Sequence, residues 1–140
     1  MISIATSFNW CMAHRLTYGY RGKCRHLHGH NYRLVVHLTG EINDKGMVCD
    51  FKDVKQVIGN WIDKNLDHKT MISGVDLLLI AALADLNEDF LEVPFNTTVE
   101  KIIKWIALKL TPLMSGILGM PQIQKLVLFE TDNNFCTWRA

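Results

Sequence analysis

The segment Cys24-Arg25-His26-Leu27-His28-Gly29-His30 places a thiol close to several imidazoles, and His14 stands upstream in an alternating apolar stretch. Side chains of a strand alternate between its faces, so His28 and His30 project the same way and come within reach of one ion. His26 shares that parity and stays open as a ligand, whereas His37 has the opposite one. His14, from a neighbouring strand, is the candidate for a third imidazole. Three such ligands suit a catalytic zinc, which keeps a fourth position free. Cys24, four residues before His28, falls at the edge of that position. The implied chemistry is metal-assisted reaction of a small molecule, with a cysteine in attendance.

Cys24 is the leading proton-transfer group or nucleophile. Nearby cations or a metal favour the thiolate, and Arg21, Lys23 and Arg25 flank it in the chain. Those three cations form either a solvated loop or a local cradle for an anionic substrate. In Asp67-His68 a carboxylate adjoins an imidazole and can fix its tautomer, although the pair is also common at helix ends. Glu130 closes an apolar strand that carries Leu126 and Leu128 on the same parity. An acid there needs a partner, and a ligand presenting N–H groups is one. Cys11, Cys49 and Cys136 fall in strand patterns as inert thiols.

These residues need a scaffold, and the hydrophobic pattern supplies one. Residues 2–14 alternate, with Ile2, Ile4, Phe8, Trp10, Met12 and His14 on one face, and residues 28–42 form a second strand. Asn43-Asp44-Lys45-Gly46 is turn chemistry, followed by a short extended piece at 47–50. Val54, Val57, Ile58, Trp61 and Ile62 recur at helical spacing and deliver Leu66-Asp67-His68 past the helix end. A second helix starts at Thr97, where Thr97 and Glu100 fit a capping box, and ends at Pro112. Residues 76–86 suit a short extra helix. Strands at 123–131 and 135–139 complete a hairpin around Asp132-Asn133-Asn134. The order ββααββ predicts an α+β domain, a four-stranded antiparallel sheet covered on one face by two helices. Its two open edges favour joining of subunits edge to edge.

At 140 residues, with 49% apolar and 21% charged residues, the chain suits a single domain over 1–140. A net charge of +1 without a basic stripe gives no reason to expect nucleic acid. The longest apolar run, 75–86, is interrupted by Asp76 and Asp85 and is shorter than the roughly 20 residues of a membrane span. Four cysteines without Cys-x-x-Cys spacing or a signal peptide predict free thiols in a reducing cytoplasm.

Six spaced blocks together resemble the 6-pyruvoyltetrahydropterin synthase / 6-carboxytetrahydropterin synthase family, almost end to end. They are Trp10-Cys11-Met12-Ala13-His14, Cys24 through His28-Gly29-His30-Asn31-Tyr32, Gly46-Met47-Val48-Cys49-Asp50-Phe51, Leu66-Asp67-His68, Thr98-Val99-Glu100, and Glu130-Thr131-Asp132-Asn133-Asn134. The ββααββ order is also that family's, the T-fold. The resemblance implies zinc held by His14, His28 and His30, with Cys24 as proton acceptor and Asp67 with His68 as a supporting relay. It implies that Glu130 anchors a pterin ring, with Thr98 and Glu100 as nearby recognition residues. The implied substrate is 7,8-dihydroneopterin triphosphate, handled by trimers or hexamers with sites at subunit interfaces.

The spacing from Cys24 to the His28–His30 pair resembles the carboxy-forming enzymes of queuosine biosynthesis. The Glu130-Thr131-Asp132-Asn133-Asn134 block is similar to the pyruvoyl-forming branch. A T-fold protein that binds pterin without turnover is the third reading. Trp10 and Met12 replace a phenylalanine and a small residue of the family pattern, Thr97 replaces a proline, and Lys101 an asparagine.

Overall fold

A computed structural model describes residues 1–140. Strands β1 (Ser3–His14) and β2 (His28–Thr39) pair antiparallel from Ser3↔Thr39 through His14↔His28. Helix α1 (Phe51–Asn65) follows, then β3 (Lys69–Ser73), helix α2 (Leu77–Asp85) and β4 (Phe90–Val93). Helix α3 (Val99–Leu110), a 3-10 turn at Thr111–Gly116, and strands β5 (Gln122–Phe129) and β6 (Phe135–Arg139) complete the chain. The sheet order is β4-β3-β1-β2-β5-β6.

The even-numbered residues of β1 and β2 face a core closed by α1 and α3. Phe8, Trp10, Met12, Leu34, Val36 and Leu38 pack with Val54, Ile58 and Ile62 of α1 and with Ile102, Ile103, Ile106 and Leu110 of α3. Burial of each such side chain contributes about 1.5–3 kcal/mol, so this face sets the register. A slip of one residue between β1 and β2 would turn His28 and His30 together to the face away from His14.

The four expected antiparallel strands are present as β1, β2, β5 and β6, but the sheet has six strands. The two additional ones, β3 and β4, are short and pair parallel, β3 with β1 and β4 with β3. Their shortness hides them in the sequence. Thr70, Met71, Ile72 and Ser73 are buried in succession, so β3 lacks the alternation that marks a half-exposed strand. Helix α2 is the expected extra helix, and it packs on the other face of the sheet. Met71 joins the main core, while Ile72 forms a separate cluster with Leu79 and Leu83 of α2.

One local expectation changes. Residues 47–50 form no strand, although Val48 and Cys49 are buried. Helix α3 ends at Leu110, just before Pro112 as expected, and the chain goes on into the 3-10 turn, near whose start the missing N–H of Pro112 is not needed. The turn at 43–46 forms as read: Gly46 has φ +79°, and the Asn43 Oδ1 accepts from the Lys45 N–H at 2.9 Å.

The loop after β1 is pinned to the β3–β4 region. Arg15 makes a bidentate pair with Asp76, Nε to Oδ2 and Nη2 to Oδ1, both at 2.6 Å. Asp76 also caps α2 by accepting from the Leu79 N–H. The Thr17 N–H reaches Asn96 Oδ1 at 2.9 Å, and the Tyr18 and Ser73 hydroxyls lie 3.0 Å apart. Asp76→Asn keeps a capping oxygen but leaves the Arg15 cation unneutralised, and the expected loss is about 1–3 kcal/mol, since Arg15 is partly hydrated. The hydrogen bonds from Arg15 hold the Asp76 carboxyl below its ordinary range despite its burial. Its contribution is therefore complete above about pH 4, the unfolded-state value, and is lost as pH falls through the lower folded-state value. Urea unfolding of parent and variant at pH 7 and at progressively lower pH should show the difference shrinking only in acid.

Candidate metal centre and active site

His14 and His28 are directly opposed across β1 and β2, and His30 is two residues further along β2, opposite Met12. Their ring centroids are 4.7 Å (His14–His28), 5.3 Å (His14–His30) and 4.9 Å (His28–His30) apart. One ligand nitrogen from each lies within 4.8 Å of the others. The convergence follows from β-pairing, because directly opposed residues and their same-face neighbours are the nearest contacts a sheet offers. His26 falls outside the group. It is exposed, and its carbonyl accepts a hydrogen bond from His28 Nδ1 at 2.7 Å.

Those hydrogen bonds determine which nitrogens are free. His14 Nδ1 donates to the Thr97 carbonyl at 2.8 Å, so the Nδ1 atoms of His14 and His28 carry protons and their Nε2 lone pairs are available. The Nε2 of His28 is buried with no hydrogen-bond partner. An orphaned buried acceptor is costly unless something binds it, and a divalent cation satisfies it. Burial lowers the pKa of His14 to about 4, with His28 and His30 adding to the effect against the Thr97 hydrogen bond. Burial, with a contribution from His28, also lowers His30. Neutral imidazoles are what a metal requires. The donor set therefore fits a borderline metal such as zinc.

Glu130 reaches the same place from the end of β5. Its Oε1 lies 3.8 Å from His14 Nε2 and accepts from the Tyr32 hydroxyl at 3.3 Å. Burial pushes the Glu130 carboxyl up; the Tyr32 hydrogen bond and His28 oppose this, and Glu100 adds to it. Tyr32 is fully buried and stacks on Trp10, with centroids 5.5 Å apart and planes 12° apart. Burial, reinforced by Glu130, pushes its hydroxyl far up, so it is a permanent donor.

Cys24 lies in a 3-10 turn at Lys23–Arg25, half-buried, and its carbonyl accepts from the Leu16 N–H at 2.8 Å. Arg21, Lys23 and Arg25 are exposed around it. Thr98, not Thr97, is the N-cap residue of α3, and its hydroxyl makes no capping bond. The expected capping box is absent because the Thr97 hydroxyl is committed elsewhere, donating to the Arg15 carbonyl at 3.2 Å and lying 3.2 Å from His14 Nδ1. Glu100 is exposed in the first turn of α3.

Asp67 and His68 occupy a different position. They sit between α1 and β3, tied to the outer edge of β1 at Cys11. The Asp67 Oδ1 accepts from the Cys11 N–H at 3.1 Å, and the His68 N–H donates to the Cys11 carbonyl at 2.8 Å. The two side chains pair at 2.9 Å, and His68 is mostly exposed at φ +59°. Burial raises the Asp67 carboxyl, but the Cys11 N–H and His68 outweigh it and hold the pKa below its ordinary value. His68 lines a depression of about 390 Å³ together with Cys11, His30, Asn31, Lys69 and Asp89.

The sequence profile of the 6-pyruvoyl tetrahydropterin synthase family matches residues 3–140. The chain belongs to that family. Among curated members of the 6-pyruvoyl tetrahydropterin synthase family, it is 33% identical to the 6-carboxy-5,6,7,8-tetrahydropterin synthase of Haemophilus influenzae, with 99% of each chain covered. It is 30% identical to the enzyme of that name from Rickettsia felis, covering 96% of this chain and 98% of that one. The 6-pyruvoyl tetrahydrobiopterin synthase of Pongo abelii is 29% identical over 85% of this chain and 72% of its own. In three dimensions, a Wolinella succinogenes protein superposes with a TM-score of 0.84 at 24% identity, covering 99% of this chain and 97% of that one. The Plasmodium vivax 6-pyruvoyltetrahydropterin synthase superposes with 0.76 at 18% identity and the same coverage. The fold is the T-fold of the 6-pyruvoyl tetrahydropterin synthase family.

Sequence reasoning overlooked two residues that contact the histidine cluster. Tyr32 shares the parity of His28 and His30, but aromatic residues in strands are ordinarily core. Thr97 carried a helix-cap signal that concealed its link to His14. Tyr32→Phe removes the O–H donor at Glu130 and should cost about 1 kcal/mol in urea unfolding, leaving the metal content unchanged.

Proposed function

We propose that this member of the family is a zinc-dependent 6-carboxy-5,6,7,8-tetrahydropterin synthase, a lyase acting on 7,8-dihydroneopterin triphosphate in queuosine (7-deazaguanine) biosynthesis in the cytoplasm. The observation that carries the reading is the orphaned His28 Nε2 in a three-imidazole cluster bordered by the Glu130–Tyr32 pair. The carboxy-forming names of the nearly full-length relatives support the branch, as does the short Cys24-to-His28 spacing.

His14, His28 and His30 would hold the zinc, which supplies Lewis-acid polarisation of substrate oxygens. Glu130 accepts from the amino and ring N–H edge of the pterin, and Tyr32 keeps its carboxylate aimed. Burial strengthens that contact, since competing water is excluded. Thr98 and Glu100 border the ring from the start of α3. Cys24 takes a proton from the substrate side chain, and His68, oriented by Asp67, returns one.

Asp67 and His68 are tied to the outer edge of β1 at Cys11 and to each other, with no contact to His14, His28 or Glu130, so we assign the relay in each site to the pair of an adjacent copy. Open strand edges support this assembly. β3 pairs with β1 only at Met12 and Ala13 and Asp67 with His68 covers Cys11, leaving the outer edge of β1 before Cys11 without a strand partner, and β6 is the other edge. A trimer or hexamer joined at those edges is the expected state.

Mass spectrometry of the products after zinc-loaded protein meets 7,8-dihydroneopterin triphosphate tests the reading. Carboxytetrahydropterin with acetaldehyde is the expected result. Pyruvoyltetrahydropterin would move the protein to the other branch, and unchanged substrate with zinc bound would leave a pterin-binding protein.

A further inference from the structure

The sheet face away from the histidines carries an arrangement that strand pairing alone does not favour. His37 of β2 is paired with Lys125 of β5, and Lys125 with Arg139 of β6, so three nitrogen bases stand side by side across three adjacent strands. Like charges directly opposed in a sheet repel. Neither Lys125 nor Arg139 has a carboxylate within salt-bridge distance, the only ion pairs being His14–Glu130, Arg15–Asp76, His68–Asp67 and Lys69–Asp89. Burial, and after it the neighbouring Lys125 and Arg139, lower the His37 pKa.

A break in strand register assembles the rest. Between His37 and Leu38 the pairing to β5 shifts, so that Gln124 and Lys125 together face one residue of β2. An irregularity of this kind re-aims side chains. Here it turns Gln124 and Lys125 to the same side, where with Ser3, His37, Arg139 and Ala140 they line a cavity of about 460 Å³. Every side-chain polar group on that wall can donate a hydrogen bond; the one carboxylate beside them is the main-chain group of Ala140 at its edge. The row spans two strand spacings, roughly 10 Å.

We propose that Lys125, Arg139 and His37, with Gln124 and Ser3, form a binding site for an oligophosphate anion. A linear polyanion presents several charges along the length of the row, whereas a single-point anion meets only part of it. The site is distinct from the histidine centre: His37 is nine residues along β2 from His28, roughly 30 Å at the rise of a strand, and on the opposite face.

Calorimetric titration of inorganic triphosphate into the intact protein, at constant ionic strength, tests the proposal against a Lys125→Gln/Arg139→Gln double variant. Saturable binding is expected in the parent, weakened at least about tenfold in the double variant, because charge-assisted contacts are lost. Triphosphate should raise the melting temperature of the parent more than that of the variant, and should shift the His37 ring signals in NMR. Lys125→Gln alone serves as a second variant should the double one melt early. Withdrawal of metal from the distant histidines by triphosphate affects all these proteins alike and cancels in the comparison. Equal affinity in parent and variants, or no binding at millimolar triphosphate, would overturn the site. Orthophosphate binding as tightly as triphosphate would overturn the oligophosphate assignment.

Discussion

His28→Ala should cut zinc affinity by about two to three orders of magnitude and abolish turnover, while the protein still unfolds cooperatively. The magnitude follows from sharing the roughly 10 kcal/mol or more of a zinc site among its few ligands. His28 is the informative ligand to remove. It lies opposite His14 at the rim and is half-buried, so its loss opens little core volume. Its Nε2 has no hydrogen-bond partner in the fold, so removing the ring deletes no intramolecular bond at that atom. His14 is less clean, since it is 2% exposed and its Nδ1 bond to Thr97 ties β1 to α3. Metal content after dialysis, with urea unfolding in parallel, checks the result. A His28→Ala protein with one zinc per chain would sink the ligand assignment. Unfolding of the parent on chelation alone would make the metal structural.

Cys24→Ala should lower kcat by about 10²–10⁴-fold, the usual contribution of a positioned proton-transfer group, without changing zinc content. Cys24 packs at a half-buried loop position rather than in the core, and its loop is held by the Leu16–Cys24 backbone bond, which alanine retains. His68→Ala should have a comparable effect, because its ring is mostly exposed and pairs with Asp67. If the relay crosses between copies, mixing the two inactive variants under subunit exchange should restore activity, since some mixed sites carry both wild-type groups. No recovery, with exchange demonstrated, would place Cys24 and His68 of one chain in the same site.

Periodicity was legible where it ran long. β1, β2 and the stripes of α1 and α3 each repeat often enough for one buried face to stand out, and the shared parity of His28 and His30 follows from that alternation. It failed where elements were short or buried on both sides. β3 and β4 offered four or five residues each, and α2, apolar almost all round, gave no sign of which face of the sheet it covers. At Thr97 a valid local rule lost to a tertiary competitor. The hydroxyl that local geometry offers to the helix end is taken by Arg15, and the carbonyl is taken by His14.

Residue types and spacing by themselves determined that a thiol, the imidazoles of His14, His28, His30 and His68, and the acids Asp67 and Glu130 were available, and that His28 and His30 share one side of their strand. Alternation is a property of the local backbone, so it can be read without knowing the partners. The tertiary structure alone decided which imidazole nitrogens are free, since hydrogen bonds to Thr97 and His26 select the tautomers. It also decided that Tyr32 and Glu130 close the site, and that Asp67 and His68 stand beyond the edge of β1. Apart from the His28–His26 bond, those outcomes depend on contacts between residues distant in the chain, which pairing register and packing establish and local pattern does not contain.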